Sequence, residues 1–140
     1  MSASRESTGG AGARRVRSDG SYRGRQGLEY RTGITTATAG SRNVCMVVAE
    51  MPPGARARAH LHRGIETAIY VIEGEVETHF GAALGERVAT RAGDYLYIDP
   101  DTPHVVVNRS DRVCRAVIVH TAGDDQEGIV MLPELDARVP

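Results

Sequence analysis

His60 and His62 stand two residues apart in the run Ala59-His60-Leu61-His62. On an extended strand that spacing puts both imidazoles on one face, about 7 Å apart along the backbone. Two neutral rings so placed can converge on a single metal ion. Arg56 and Arg58 share the parity of this pair, so a regular strand turns all four side chains the same way. Guanidinium groups beside a metal suit a carboxylate or phosphate on a substrate; the alternative is a strand entering from the surface with both arginines in water. Tyr95 and Tyr97 share one face of the run preceding His104, where a phenol can hydrogen-bond a ligand, act as a weak acid or simply fill an aromatic-poor core. His79 alternates with Glu75 and Glu77 and reads as a surface residue, and His120 has no partner at ligand spacing and reads as structural or exposed. Cys45 and Cys114 are too far apart in sequence for a zinc knuckle or a redox pair, and their apolar runs suggest reduced, inert filling.

The rest of the composition closes off several other chemistries. All 17 basic residues of the 140-residue chain are arginine, which excludes Schiff-base lysines, lysine-anchored PLP and the lysine of a Walker loop. No serine elbow or phosphate-cradling glycine loop is present. A net charge of −1 gives no overall basic field for nucleic acid. The charge is uneven: residues 1–31 carry seven arginines against three acids, and residues 32–140 carry ten against fifteen. Residues 1–25, rich in Ser, Gly and Arg, read as a flexible tail whose deletion to residue 24 should leave folding unchanged; residues 26–140 form one domain. Arg14 and Arg15 lack the apolar stretch of an export signal, and no run reaches the ~18 apolar residues of a membrane span. The expectation is a cytoplasmic protein without membrane or nucleic-acid partners.

The elements available to position these residues are short β-prone runs between turn residues. They are 43–51, 67–72, 75–80, 94–98, 104–107 and 113–120, separated by Pro52-Pro53-Gly54, Gly74, the 81–85 loop, Gly93 and the 99–103 segment. No window of helical length carries an apolar period near 3.6. The fold class is therefore all-β, as a sandwich, jelly roll or barrel.

The stretches 52–81 and 93–108 together resemble the two motifs of the cupin superfamily. Gly54, His60, His62, Glu66 and Gly74 fall on G-x(5)-H-x-H-x(3,4)-E-x(6)-G, and Gly93, His104 and Asn108 fall on G-x(5)-P-x-G-x(2)-H-x(3)-N. From residue 26 to the end the chain is also similar to small bacterial cupins described as RmlC-like. The resemblance implies a double-stranded β-helix, a jelly-roll barrel, with a metal held by His60, His62, Glu66 and His104. That ligand set accepts Fe, Mn, Ni, Co, Cu or Zn. Three features depart from the pattern. Seven residues, not six, separate Glu66 from Gly74, so counting back from Gly74 puts Thr67 at the ligand position while counting forward from His62 keeps Glu66. A bulge would reconcile the counts in favour of Glu66; otherwise the site has three histidines. The usual Pro and Gly of the second motif are Asp99 and Asp101, and Asp tolerates the left-handed turn that Gly would supply.

Three functions are compatible with this reading. One is a metal-dependent enzyme acting on a small organic molecule by dioxygenase, isomerase, cyclase or decarboxylase chemistry, with Arg56, Arg58, Tyr95 and Tyr97 as substrate contacts. Another is a small-molecule-binding module without turnover. The third is a metal-independent epimerase, which would need a His base paired with Asp and an opposed Tyr acid. Cupins commonly pair as dimers by exchanging edge strands, so residues 26–38 would be the exchanged segment of a homodimer.

Overall fold

Alternation of apolar and polar side chains, with turn residues between, gives eleven strands among the described residues. The computed structural model describes Gly9, residues 11–18 and residues 20–140; the remainder of the expected tail lies outside the described residues. In chain order the strands are β1 Ser21–Arg23, β2 Glu29–Ile34, β3 Cys45–Met51, β4 His60–His62, β5 Thr67–Glu73 and β6 Glu75–Phe80. There follow β7 Glu86–Arg91, β8 Tyr95–Ile98, β9 His104–Val107, β10 Cys114–His120 and β11 Ile129–Met131. All six expected runs are strands. The only α-helical element among the described residues is one turn, α1 Thr36–Ala39, and none crosses a membrane as an apolar helix.

Two antiparallel sheets result, ordered β1-β2-β3-β10-β5-β8 and β11-β4-β9-β6-β7. Between them lie Leu28, Tyr30, Val47, Ala49, Met51, Val71, Cys114 and Ile118. A second cluster, Ala59, Leu84, Val105, Val107 and Val139, is covered by Leu132 and Leu135. β9 is therefore buried on both faces, which explains its unbroken valine run. Gly74 turns β5 into β6 at a φ of 79°, and a Cβ there would collide with the Val113 carbonyl, so the glycine of the first motif is a steric requirement. Both cysteines are free and buried, and burial pushes each thiol up to about 11.

The sheet begins at Ser21, inside the segment that composition assigned to the tail. β1 pairs with β2, Tyr22 stacks on Tyr30 at 5.4 Å between ring centroids, and the Tyr22 hydroxyl donates to Asp125 at 3.0 Å. One aromatic residue with a carboxylate partner outweighs the polar composition around it. Deleting residues 1–24 removes this strand and an aromatic side chain packed on the core. The expected outcome is a melting temperature lower by roughly 10 °C, from about 2–4 kcal/mol of lost burial and hydrogen bonding. Thermal unfolding of the two chains checks it.

Candidate metal centre

β4 and β9 carry the site. They meet with His60 opposite His104, and His62 lies two residues further along β4 on the same face. All three rings are buried, and one nitrogen from each lies within 4.8 Å of the others. Ring centroids are 4.3 Å apart for His60 and His104, and 5.2 Å for His60 and His62. The expected convergence of His60, His62 and His104 is thus present.

The hydrogen bonds fix which nitrogens remain open. His60 donates from Nδ1 to the Arg58 carbonyl at 2.7 Å, and His104 from Nδ1 to the Thr102 carbonyl at 2.9 Å. Each ring is a neutral tautomer whose Nε2 lone pair is free. His62 Nδ1 is buried without a well-formed hydrogen bond, the Glu127 backbone offering its ring only a weak one. Burial holds all three in the uncharged form. His60 is held well below the usual imidazole range by desolvation and then by His104. His62 is pushed down to about 3 by desolvation, His120 and His104, and His104 to about 4 by desolvation above all. Three uncharged, desolvated imidazoles and a poorly satisfied ring nitrogen fit a divalent transition metal.

Glu66 is not among them. β5 is regular from Thr67 to Val71, before a bulge at Ile72, so Thr67, Ile69 and Val71 face inward and Glu66 is exposed, its carboxylate accepting from the Tyr97 hydroxyl at 2.7 Å. No bulge intervenes at Glu66, and the count back from Gly74 is the one the strand follows. Asp101 adopts a φ of 62°, the left-handed turn for which the second motif uses Gly, and it fastens the end of β4 by donating from its backbone to the His62 carbonyl at 3.0 Å. Asn108 is fully buried and ties the turn after β9 to Met51 and Arg112.

The four expected substrate contacts also lie elsewhere. Arg56 bridges Val107 while His60 pairs with His104, so four steps on one strand face three on the other. The extra residue is a bulge, and it reverses parity between Arg56 and His60. At the bulge the backbone turns away from β9: Arg58 N donates to Gln26, and Ala59 N to the Asp136 carboxylate. Arg56 and Arg58 consequently line a cleft behind the histidines. Tyr95 and Tyr97 lie on the outer face of the first sheet, 80% and 54% exposed, because Leu96 and Ile98 take the inward positions of β8. Hydrogen bonding to Glu66 pushes the Tyr97 phenol up to about 12. His79 sits with Glu75 and Glu77 on the outer face of β6, 3.3 Å from the Glu77 carboxylate.

His120 is the residue that sequence spacing missed. It is buried with its ring centroid 4.4 Å from that of His62. Its Nδ1 meets the Thr67 hydroxyl at 2.8 Å and its Nε2 the Asp125 carboxylate at 3.0 Å. Asp125 also accepts from Tyr22 and from Gln126, and these bonds hold its carboxyl below the usual range against the desolvation that opposes them. The signal was present in β10: His120 keeps the parity of the inward Cys114, Ala116 and Ile118.

The model of the Cupin domain matches residues 47–120, just over half the chain. The chain belongs to the cupin family. A Streptomyces cyaneus protein named polyketide synthase CurC is 34% identical to this cupin over 93 residues, which is 66% of this chain and 58% of that protein's length. Among solved structures, an uncharacterised Klebsiella pneumoniae protein with a double-stranded β-helix domain superposes with a TM-score of 0.61 at 23% identity, covering 84% of this chain and 89% of the other. Bacillus subtilis oxalate decarboxylase, studied for its Mn(II) centres, superposes at 0.62 with 22% identity over 75% of this cupin and 28% of its own chain. At these identities the superpositions establish the double-stranded β-helix fold.

Two predictions follow from the geometry. Glu66→Gln leaves metal affinity unchanged, whereas Thr67→Val strips His120 of a buried partner and costs about 1–2 kcal/mol of stability, checked by metal titration and urea unfolding. The depressed histidines also set an acid limit on the metal-free fold. Unfolded, each takes up a proton near pH 6.5; folded, His104 and His62 do so only near 4 and 3. The unfolded state therefore binds more protons between about pH 6.5 and 4, so stability falls as pH drops through that window, by about 1.4 kcal/mol per unit for each histidine. The depressed carboxylates Glu50, Glu77 and Asp125 add to the loss from about pH 4.5 downward, in the same direction. Urea midpoints across this range, with His104→Gln showing a shallower slope, check the sign.

Proposed function

We propose that this chain is a metal-dependent cupin enzyme acting on a small, oxygen-chelating organic molecule. The observation that carries the reading is the buried, uncharged trio His60, His62 and His104, with the rings of His60 and His104 oriented by backbone carbonyls. These three would hold the metal, which supplies a Lewis-acid centre with open positions for two substrate oxygens. Mn and Fe are the first ions to try among Fe, Mn, Ni, Co, Cu and Zn, given the Mn(II) centres of the oxalate decarboxylase relative in fold.

The chain's own residues shape what can enter. A pocket of about 240 Å³ is lined by Phe80, Val88, Leu96, Ile98 and Thr102 among others; Phe80 is the cross-strand partner of His104, and Thr102 holds the His104 ring. Thr78 lines the same pocket with a buried, unpartnered hydroxyl, and Tyr97, Asp99 and Thr102 add further polar groups to its wall. Such a cavity suits a compact β-dicarbonyl segment, and the relative named as a polyketide synthase makes 1,3-diketones the class to test first, with oxalate beside them. A metal-free epimerase is less well supported: His120 and Asp125 form the required pair, but Tyr22 donates to the same carboxylate instead of opposing the histidine across a substrate space.

Metal analysis of protein purified without a histidine tag tests the reading. Near-stoichiometric transition metal is expected, falling at least tenfold in His60→Ala and His104→Ala, with acetylacetone perturbing the spectrum of the metal-loaded chain. A folded native chain that takes up none of the six metals overturns it.

A further inference from the structure

The bulge that turns Arg56 and Arg58 away from the histidines brings them against the β1–β2 turn. Together with Arg23 and Arg25 they line a cleft of about 640 Å³, within the range of small-molecule sites. We propose that these four arginines form a second site, separate from the histidine cluster, that binds the phosphoryl groups of a small polyphosphate or phosphate ester.

Charge is the first support. Arg25 and Arg58 make no ion pair among the described residues. Arg23 is shared with Glu29 at 3.4 Å, and Asp136, the acid in the cleft wall, has one carboxylate oxygen engaged by the Ala59 amide at 2.7 Å. Four guanidinium groups thus face a concave surface that two partly occupied carboxylates do not neutralise. Pre-organisation is the second support. Arg56 is half-buried and anchored to the carbonyls of Val139 and Asp136, so one face of its guanidinium is fixed before any ligand arrives. The backbone beneath is equally set: the Arg25 amide donates to Gln126 at 2.9 Å, and the Arg58 amide to the Gln26 carbonyl at 2.7 Å. Gly27 in the lining leaves the approach open, while Gly24 is packed against Gln26, Tyr30 and Gln126. Planar forks that can each give two parallel N–H bonds match phosphoryl oxygens better than they match a single carboxylate, and a diphosphate offers oxygens to several forks at once. The same arrangement gives two of the seven arginines of residues 1–31, Arg23 and Arg25, a place at the cleft.

Calorimetric titration of the metal-stripped, dialysed full chain with inorganic pyrophosphate tests this, with citrate as a carboxylate of comparable charge. Expected is saturable 1:1 binding that weakens with salt, weakens about tenfold in each of Arg25→Gln and Arg58→Gln, and is unchanged in Arg87→Gln, whose side chain pairs with Glu77 on another strand. Arg25 and Arg58 are exposed, and circular dichroism confirms that their variants fold. Absence of saturable binding at millimolar pyrophosphate, or equal weakening in Arg87→Gln, overturns the site; equal affinity for citrate overturns the phosphoryl assignment.

Discussion

Four imidazole rings packed into one protein interior are tolerable only if the cluster does not accumulate positive charge, and much of the architecture serves that constraint. His62 contacts His120 on one side and shares the cluster with His60 and His104 on the other. Protonation of His60, His62 or His104 would face desolvation and the neighbouring rings. The backbone answers for His60 and His104 by presenting a carbonyl to each Nδ1, which selects the tautomer and keeps the ring from turning. Those carbonyls belong to Arg58 and Thr102, both in irregular segments where the chain has left its ladder. The bulge before β4 and the left-handed turn at Asp101 before β9 are therefore part of the site's construction.

Strand parity decided how much of this could be read from the residues alone. Within a regular strand the rule held: His60 with His62, and Glu75, Glu77 and His79 on one outer face. It failed for Arg56 and Arg58 because a single extra residue, invisible in the spacing, reversed the faces at Ala57–His60. For Glu66 the motif admitted two counts, and the ladders of β5 with β10 and β8, in register from Thr67 and interrupted only by a bulge at Ile72, put Thr67 at the inward position. Tyr95 and Tyr97 were legible as sharing a face, but which face depends on Leu96 and Ile98 being the inward pair, a fact of packing between sheets.

The ends of the chain were the least legible part. Composition alone marks residues 1–25 as unable to bury anything, yet Tyr22 joins the core and reaches Asp125. The last residues look equally unremarkable, yet Leu132, Leu135 and Val139 close the outer face of the second sheet and Asp136 caps the bulge at Ala59. Both ends converge on the segment 56–59 immediately before the histidines. Such long-range contacts leave no periodic trace in a sequence.

Asp125, and not Glu66, is placed to supply the negative charge that the motif gives to a carboxylate. A dication held by three neutral imidazoles keeps its full charge, and an anionic ligand would offset part of it. Glu66 does not supply that offset, being exposed and bonded to Tyr97. Asp125 lies behind His120, whose ring packs on His62, and its carboxylate already favours the charged state of His62 against the surrounding desolvation. A negative charge one ring removed from the cluster stabilises a cation there without occupying a coordination position. The inward Thr67 fits the same logic, since its hydroxyl bonds the His120 ring where an inward carboxylate would bring a second anion against Asp125. The result is a pocket that balances charge from behind and would leave more of a bound metal's surface to a ligand.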